Sequence, residues 1–511
     1  MLLADGLTGN DWAVRQLRAW TAAEVGADRD DIHLLEKAGQ TWAELAKSKP
    51  DIPQLLYNQA STAEATFRAI VRTKGHAAAL ETQRHNLDLA REAYLKVGDD
   101  EEADDALRLQ ALTNLGNGFD MLGRDLESIE VYDKALAINP AFGMASGNKG
   151  VALAHVAHLA DGHTSAVLSQ AVEALDAALK DRDGIMAASG PSAYATFEAT
   201  RGRIKITDTG DGDSPHKGHV HSSSPNPWND PYLDWCRREK LFLHVSLECL
   251  REDDEFLDPL FFRRLISDIS DAAGPDRIDV LHDAFNAIKQ DFIAARYSAW
   301  LVSELDSPIR DQASSISART RFVDSLSYAR WGTRVGMGVQ AFTAAANLLD
   351  KIASFTHLYL STGRVRDVYF PSLWHPRNQK RKKQMEDAFR QEFEKESFNR
   401  GLLALCDLSC DLERKTRLAE LIDRRHSATH RFLVVHEWGE DGAATGEFLD
   451  RVSWSELLDG LLWQLRTARA ALIYLARAVE IRESRLGDEA ESEGKVIPTM
   501  PAFGAMTEPA D

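Results

Sequence analysis

The apolar positions of this chain fall into helical spacing over most of its length. Between about residues 30 and 180 they come as short, alanine-rich stripes. From about 258 the stripes lengthen. Leu281, Phe285, Ile288, Phe292, Ala295, Ala299 and Val302 step by three or four residues, which places them on one face of a long helix. A second helical stretch is predicted from about Thr320 to Leu360, with Gly332, Gly336 and Gly338 marking a kink or a close helix contact. A third covers 398–436. The last opens on Ser453-Trp454-Ser455-Glu456, the spacing of a capping box, and runs through Leu458, Leu461, Leu465, Ala468, Leu472, Leu475 and Val479. Residues 181–230 break the pattern with Gly, Pro, Ser and Asp and read as irregular. The end of the chain is polar and carries Pro498, Pro501 and Pro509, the composition of a disordered tail. The expected organisation is all-α: helical repeats over 1–180, an irregular connector and lead-in segment over 181–257, an antiparallel helical bundle over 258–485, and a tail over 486–511.

One part of the first half is specific. A 34-residue unit starting at Leu109 contains Leu112, Leu115, Gly116, Phe119, Ser128, Tyr132, Ala135 and Pro140. That order of large, Leu-Gly, aromatic, small, aromatic, Ala and Pro resembles the tetratricopeptide repeat. Gly116 and Ala135 let two helices approach, the aromatics fill the space between them, and Pro140 ends the second helix. Ala90 and Tyr94 occupy matching slots upstream; Gly150, Leu153, Ala171, Leu175 and Ala178 do so downstream. Such units bury their faces only by stacking, so a solenoid that binds a protein or peptide is expected.

Size and charge narrow the possibilities. At roughly 150 residues per domain, 511 residues imply two or three domains. The net charge of −19 excludes a basic footprint spread over the whole chain, so any contact with nucleic acid needs a local patch. From 371 to 431 there are 14 Arg plus Lys against 10 Asp plus Glu. The densest run holds Arg377, Lys380, Arg381, Lys382 and Lys383, just after Phe370 and Trp374, and is a candidate guide for a phosphate backbone. Cys236, Cys249, Cys406 and Cys410 form no Cys-x-x-Cys pair and no disulfide framework; they read as small buried apolar residues. The start has no signal-peptide pattern and no window approaches a membrane span, so a cytoplasmic location is expected.

The chemistry is concentrated in the third helical stretch, Leu421-Ile422-Asp423-Arg424-Arg425-His426-Ser427-Ala428-Thr429-His430-Arg431-Phe432-Leu433-Val434-Val435-His436. On a helix His426 and His430 share a face, and the Arg425 guanidinium can swing to the same place. An imidazole that titrates near neutrality suits removal of a 2′-hydroxyl proton, and a planar guanidinium suits phosphate oxygens. The same spacing recurs at Arg431 and His436, but it encloses Phe432-Leu433-Val434-Val435, a buried wall, so that copy reads as structural.

This phrase resembles the HEPN superfamily, whose ribonuclease members carry Arg, a polar residue, three further residues and His. Tyr232-Leu233-Asp234-Trp235-Cys236 with Leu241-Phe242-Leu243 resembles the lead-in segment of one bacterial branch. Phe285-Asn286-Ala287-Ile288-Lys289-Gln290-Asp291 with Ala295-Arg296-Tyr297 resembles its first long helix. His426 stands where that branch often has Asn. The resemblance implies a HEPN-type bundle acting as an endoribonuclease that needs no metal or other cofactor and leaves a 2′,3′-cyclic phosphate. It assigns His430 as base or acid, Arg425 as phosphate clamp and His426 as orienting or proton-sharing partner, with Arg424 and Arg431 adding to the RNA contact. It also implies a homodimer and a toxin or phage-defence role, with no membrane attachment. Two other readings stand beside it. One is a noncatalytic dimeric adaptor. The other is a metal-dependent enzyme built on His216, His219 and His221.

Overall fold

A computed structural model describes residues 12–205, 228–263, 265, 274–304, 309–323, 328–360, 368–374, 385–394, 398–412, 432–437 and 449–492. The protein is all-α apart from one two-stranded sheet. It divides into two units, residues 1–216 with 375–403 and residues 217–374 with 404–511. No helix among the described residues is long and apolar enough to cross a membrane.

The first unit begins with ten helices: α1 (Trp12–Arg29), α2 (Ile32–Ser48), α3 (Pro53–Lys74), α4 (His76–Gly98), α5 (Asp105–Asp120), α6 (Asp125–Ile138), α7 (Gly143–Val156), α8 (Thr164–Lys180), α9 (Arg182–Ser189) and α10 (Pro191–Arg203). From α1 to α8 each helix packs on the next, and α3 also touches α5, as α5 touches α7. This nearest-neighbour pattern belongs to stacked helical repeats. Gly116 on α5 faces the Tyr132 ring on α6 so closely that a Cβ would lie 2.3 Å from Tyr132 Cε1. The tyrosine completes the contact by donating from its hydroxyl to Asn117 Oδ1 at 2.9 Å. One buried cluster runs through Ala90, Tyr94, Leu112, Leu115, Tyr132 and Ala135, so the core is continuous from α3 to α7.

Residues 182–203 correct the expectation of an irregular stretch from 181. Pro191 sits in the first turn of α10, where its missing N–H costs nothing, so it starts a helix instead of breaking one. Ile185 and Phe197 then anchor α9 and α10 into a cluster with Leu175 and Ala178.

The first unit also takes in a segment from far along the chain. It holds α15 (Asp387–Glu394) and the first turn of α16 (Arg400–Leu412). Glu81 on α4 accepts from the Met385 backbone N–H at 2.6 Å and also pairs with Arg390. Asn399 caps α16 by accepting from Leu402 N–H at 3.1 Å. Gly123, at φ +78°, lies so close to the backbone that a Cβ would sit 2.3 Å from the Arg400 carbonyl oxygen.

The second unit contains α11 (Pro231–Arg238), α12 (Gly274–Ser303), α13 (Ile309–Ser317), α14 (Thr333–Leu360), the remainder of α16, β1 (Phe432–His436), β2 (Leu449–Ser453) and α17 (Trp454–Ser492). α12, α14 and α17 pack on one another. Every residue from Thr467 to Val479 is buried, so α17 is the central helix. It opens with the expected capping box: Ser453 N–H donates to Glu456 Oε2 at 2.9 Å, and Glu456 N–H donates back to Ser453 Oγ at 3.2 Å. The helix continues to Ser492, into the stretch expected as tail.

Two further expectations need correction. The stretch from Thr320 becomes helical only at Thr333, because Tyr328 and Gly332 take positive φ angles of 54° and 126° that no α-helix accommodates. Of the predicted helix over 398–436, Arg400–Leu412 is helical, 413–431 lie outside the described residues, and residues 432–436 form a strand. Phe432-Leu433-Val434-Val435 is rich in β-branched and aromatic residues, and it pairs in parallel with β2 in the register Phe432↔Leu449 to His436↔Ser453.

Candidate functional site

The proposed catalytic residues Arg425, His426 and His430 lie outside the described residues, as do Arg424, Arg431, the basic run Arg377, Lys380, Arg381, Lys382 and Lys383, and the histidines His216, His219 and His221. The structure describes what flanks the motif. On one side α16 ends at Leu412; on the other, β1 begins one residue after Arg431.

β1 is held on two sides. β2 pairs with it in parallel. Residues 328–330 run antiparallel along its end: Arg330 N–H donates to the Val435 carbonyl at 2.7 Å, and Glu437 N–H donates to the Tyr328 carbonyl at 3.2 Å. The Arg330 guanidinium reaches Glu437 at 2.9 Å and lies 5.5 Å from the Trp454 ring centroid. Val434, Val435 and His436 are buried, while Phe432 projects outward. The expected buried wall Phe432-Leu433-Val434-Val435 is buried only at Val434 and Val435, since Phe432 at the start of the strand is exposed; His436 is buried, and Arg431 lies outside the described residues.

A scaffold of buried arginines fixes the lead-in segment to the bundle. Arg296 on α12 forks onto Asp258 at 2.9 and 2.7 Å, donates to the Leu241 carbonyl at 2.9 Å and reaches the Tyr232 hydroxyl at 2.9 Å. Burial works against its charge, but the Asp258 carboxylate outweighs burial and holds the guanidinium firmly cationic. Arg469 on α17 donates to the Phe242 and His244 carbonyls, each at 2.6 Å. These links explain why Tyr232-Leu233-Asp234-Trp235-Cys236 and Ala295-Arg296-Tyr297 stand out in the sequence. The signal for Arg296 was a charged residue interrupting an apolar helix face; nothing local named Asp258 as its partner.

Two thiols of the second unit are held protonated. Burial pushes the Cys236 thiol up to about 12 and the Cys249 thiol up to about 11, so neither is a thiolate at neutral pH.

In the first unit one cluster has the composition of a metal site. Asp120, Asp125 and His155 bring ligand-type atoms within 4.8 Å of one another. Arg400 already supplies the positive charge there, with Nη2 2.8 Å from Asp120 and 3.2 Å from the fully buried Asp125. Burial opposes the charge on Arg400 and the two aspartates restore it. The arrangement is a fastening for the 385–403 segment, since the same arginine donates to the Asp120 carbonyl at 2.7 Å.

Comparison with known proteins bears on the second half of the chain. Residues 273–482 match the sequence model of the LA2681-like HEPN family. That span includes Arg425, His426 and His430, together with α12, α14 and most of α17. No match is found among curated proteins. The long-helix architecture of the second unit agrees with the family's helical fold, and the assignment points to an RNA-related role. This protein therefore carries an LA2681-like HEPN domain across residues 273–482, preceded by helical repeats.

Proposed function

We propose that this protein is a metal-independent endoribonuclease effector of the toxin or phage-defence kind, with a helical-repeat half that senses a protein or peptide. The observation that carries this reading is the position of Arg425-His426-x3-His430 inside the span matched by the HEPN family. In this mechanism His430 takes the proton of a ribose 2′-hydroxyl. The freed oxygen attacks the adjacent phosphorus, and the 5′-oxygen leaves with a proton returned by an imidazole, His426 or the same histidine of a second copy. Arg425 faces the phosphate oxygens, where charge accumulates in the transition state. The products are a 2′,3′-cyclic phosphate and a 5′-hydroxyl. Because one motif offers few proton-transfer groups, the active form is a homodimer with two motifs facing each other.

The test is cleavage of an unstructured RNA by purified full-length protein in the presence of EDTA, with the product ends identified. The wild type is expected to cut and the Arg425→Ala/His430→Ala protein to lose at least a thousandfold in rate. Equal activity in the two proteins rejects the assignment. No cleavage by either, together with tight RNA or protein binding, favours the noncatalytic adaptor.

A further inference from the structure

The second unit exposes large aromatic rings where a folded protein would ordinarily bury them. Tyr328 and Phe432 are each 70% exposed, Trp331 is 49% and Phe322 47%. The Phe322 and Trp331 rings are stacked, 11° from parallel with centroids 6.3 Å apart. Tyr328 adopts φ +54°, a conformation that costs a bulky residue energy and persists only where the surroundings impose it. The surroundings here are the backbone hydrogen bonds that tie residues 328–330 to the end of β1. The strain is thus spent on holding an aromatic ring outward at a fixed place.

The sequence stretch that carries Phe322, Tyr328 and Trp331 is basic, unlike the chain as a whole. Residues 312–334 contain Arg319, Arg321, Arg330 and Arg334 against a single acid, Asp324, in a protein of net charge −19. Arg319 and Arg321 are exposed and immediately precede Phe322 in sequence. Chain connectivity also limits how far the rings are from the motif. Ala329 bridges to His436, which follows His430 by six residues, and six extended residues span at most about 20 Å.

We infer that Phe322, Tyr328 and Trp331, with Arg319 and Arg321, form a stacking platform that binds the bases of single-stranded RNA. The inference rests on the ribonuclease reading above and adds to it a base-binding subsite. Every base has a π-face, so the platform tolerates any sequence, while the arginines follow the phosphates. An RNA strand is favoured over a protein partner because flat rings stand here beside two exposed arginines, Arg319 and Arg321.

The test uses the full-length Arg425→Ala/His430→Ala protein, which leaves the RNA intact, titrated with a fluorescein-labelled oligouridylate. Loss of one stacked base weakens binding by roughly five- to a hundredfold. Phe322→Ala/Trp331→Ala is therefore expected to raise Kd at least tenfold, and Trp331→Phe to restore most of it. Arg319→Glu/Arg321→Glu is expected to raise Kd to a similar degree, independently of any effect on ring packing. In the active background the aromatic double variant should raise KM and leave kcat near wild type. If Kd is unchanged in both double variants while the wild type still cuts RNA, the platform is wrong and the ribonuclease reading stands. If the variants alter the mass measured by sedimentation but not Kd, the surface joins protein copies and the inference is overturned. If the wild type neither binds nor cuts RNA, both readings fall together.

Discussion

Burying Arg296 beside Asp258 makes each residue dependent on the other. Their pairing offsets a desolvation cost of several kcal/mol per ion only while both are present. Arg296→Ala leaves a carboxylate without its cation and strips donors from Tyr232 and the Leu241 carbonyl. The expected loss is about 3–5 kcal/mol, read by denaturant unfolding; Arg296→Ala paired with Asp258→Asn should recover part of it. His76 gives a pH-dependent case. Burial first, and then the Arg400 charge, hold its pKa down to about 4, against about 6.5 for an unfolded histidine. The folded chain keeps this imidazole neutral, so its contribution is complete above pH 6.5 and is lost as pH falls towards 4. Stability should decline by up to about 3 kcal/mol across that window. His76→Phe, which keeps a ring against Phe398, should flatten the decline in thermal unfolding.

The elements divide by how far their determinants lie apart along the chain. The cap of α17 is written within four residues, and Ser453→Ala should cost about 1 kcal/mol, measured by chemical unfolding. The α5–α6 hairpin was equally readable, because Gly116 and Tyr132 are set by a repeat of fixed length. Gly116→Val should destabilise it by at least 2 kcal/mol, since even a Cβ meets the tyrosine ring. β1 was not readable as a strand. Its pairing partners, β2 and residues 328–330, lie on either side of it in sequence and are invisible to a helical-period count. Helices α9 and α10 were hidden for the opposite reason: Gly190-Pro191 looks like a break and is a join. Of the chemistry, the motif was legible as a spacing of residue types. The Arg296–Asp258 pairing and the outward rings were not, because only tertiary folding chooses their neighbours.

Taken as a whole, the molecule carries strong negative charge with basic residues gathered in two places along the sequence, 312–334 and 377–431. On the proposed reading, RNA is caught by a few phosphate contacts and by stacking, against a repelling background. The dependence of log Kd on log salt should therefore be shallow, with a slope of about 2–3 for three or four phosphates on a single strand. Titration between low and moderate salt measures it. A slope near zero would leave only stacking, and a much steeper one would require a wider basic surface than these two stretches provide.

The segment from Met385 to Leu403 falls inside the HEPN-matched span yet packs among the repeat helices through Glu81, Asp120, Asp125 and Gly123. Excising residues 273–482 as a module would cut away the acceptors of Arg390 and Arg400 and leave two guanidinium groups and the start of α16 without their seat. Exchange of this half between related proteins has to carry matching changes in α4 and in the α5–α6 turn. The inheritance of the two halves is coupled at four positions that no motif in either half would identify.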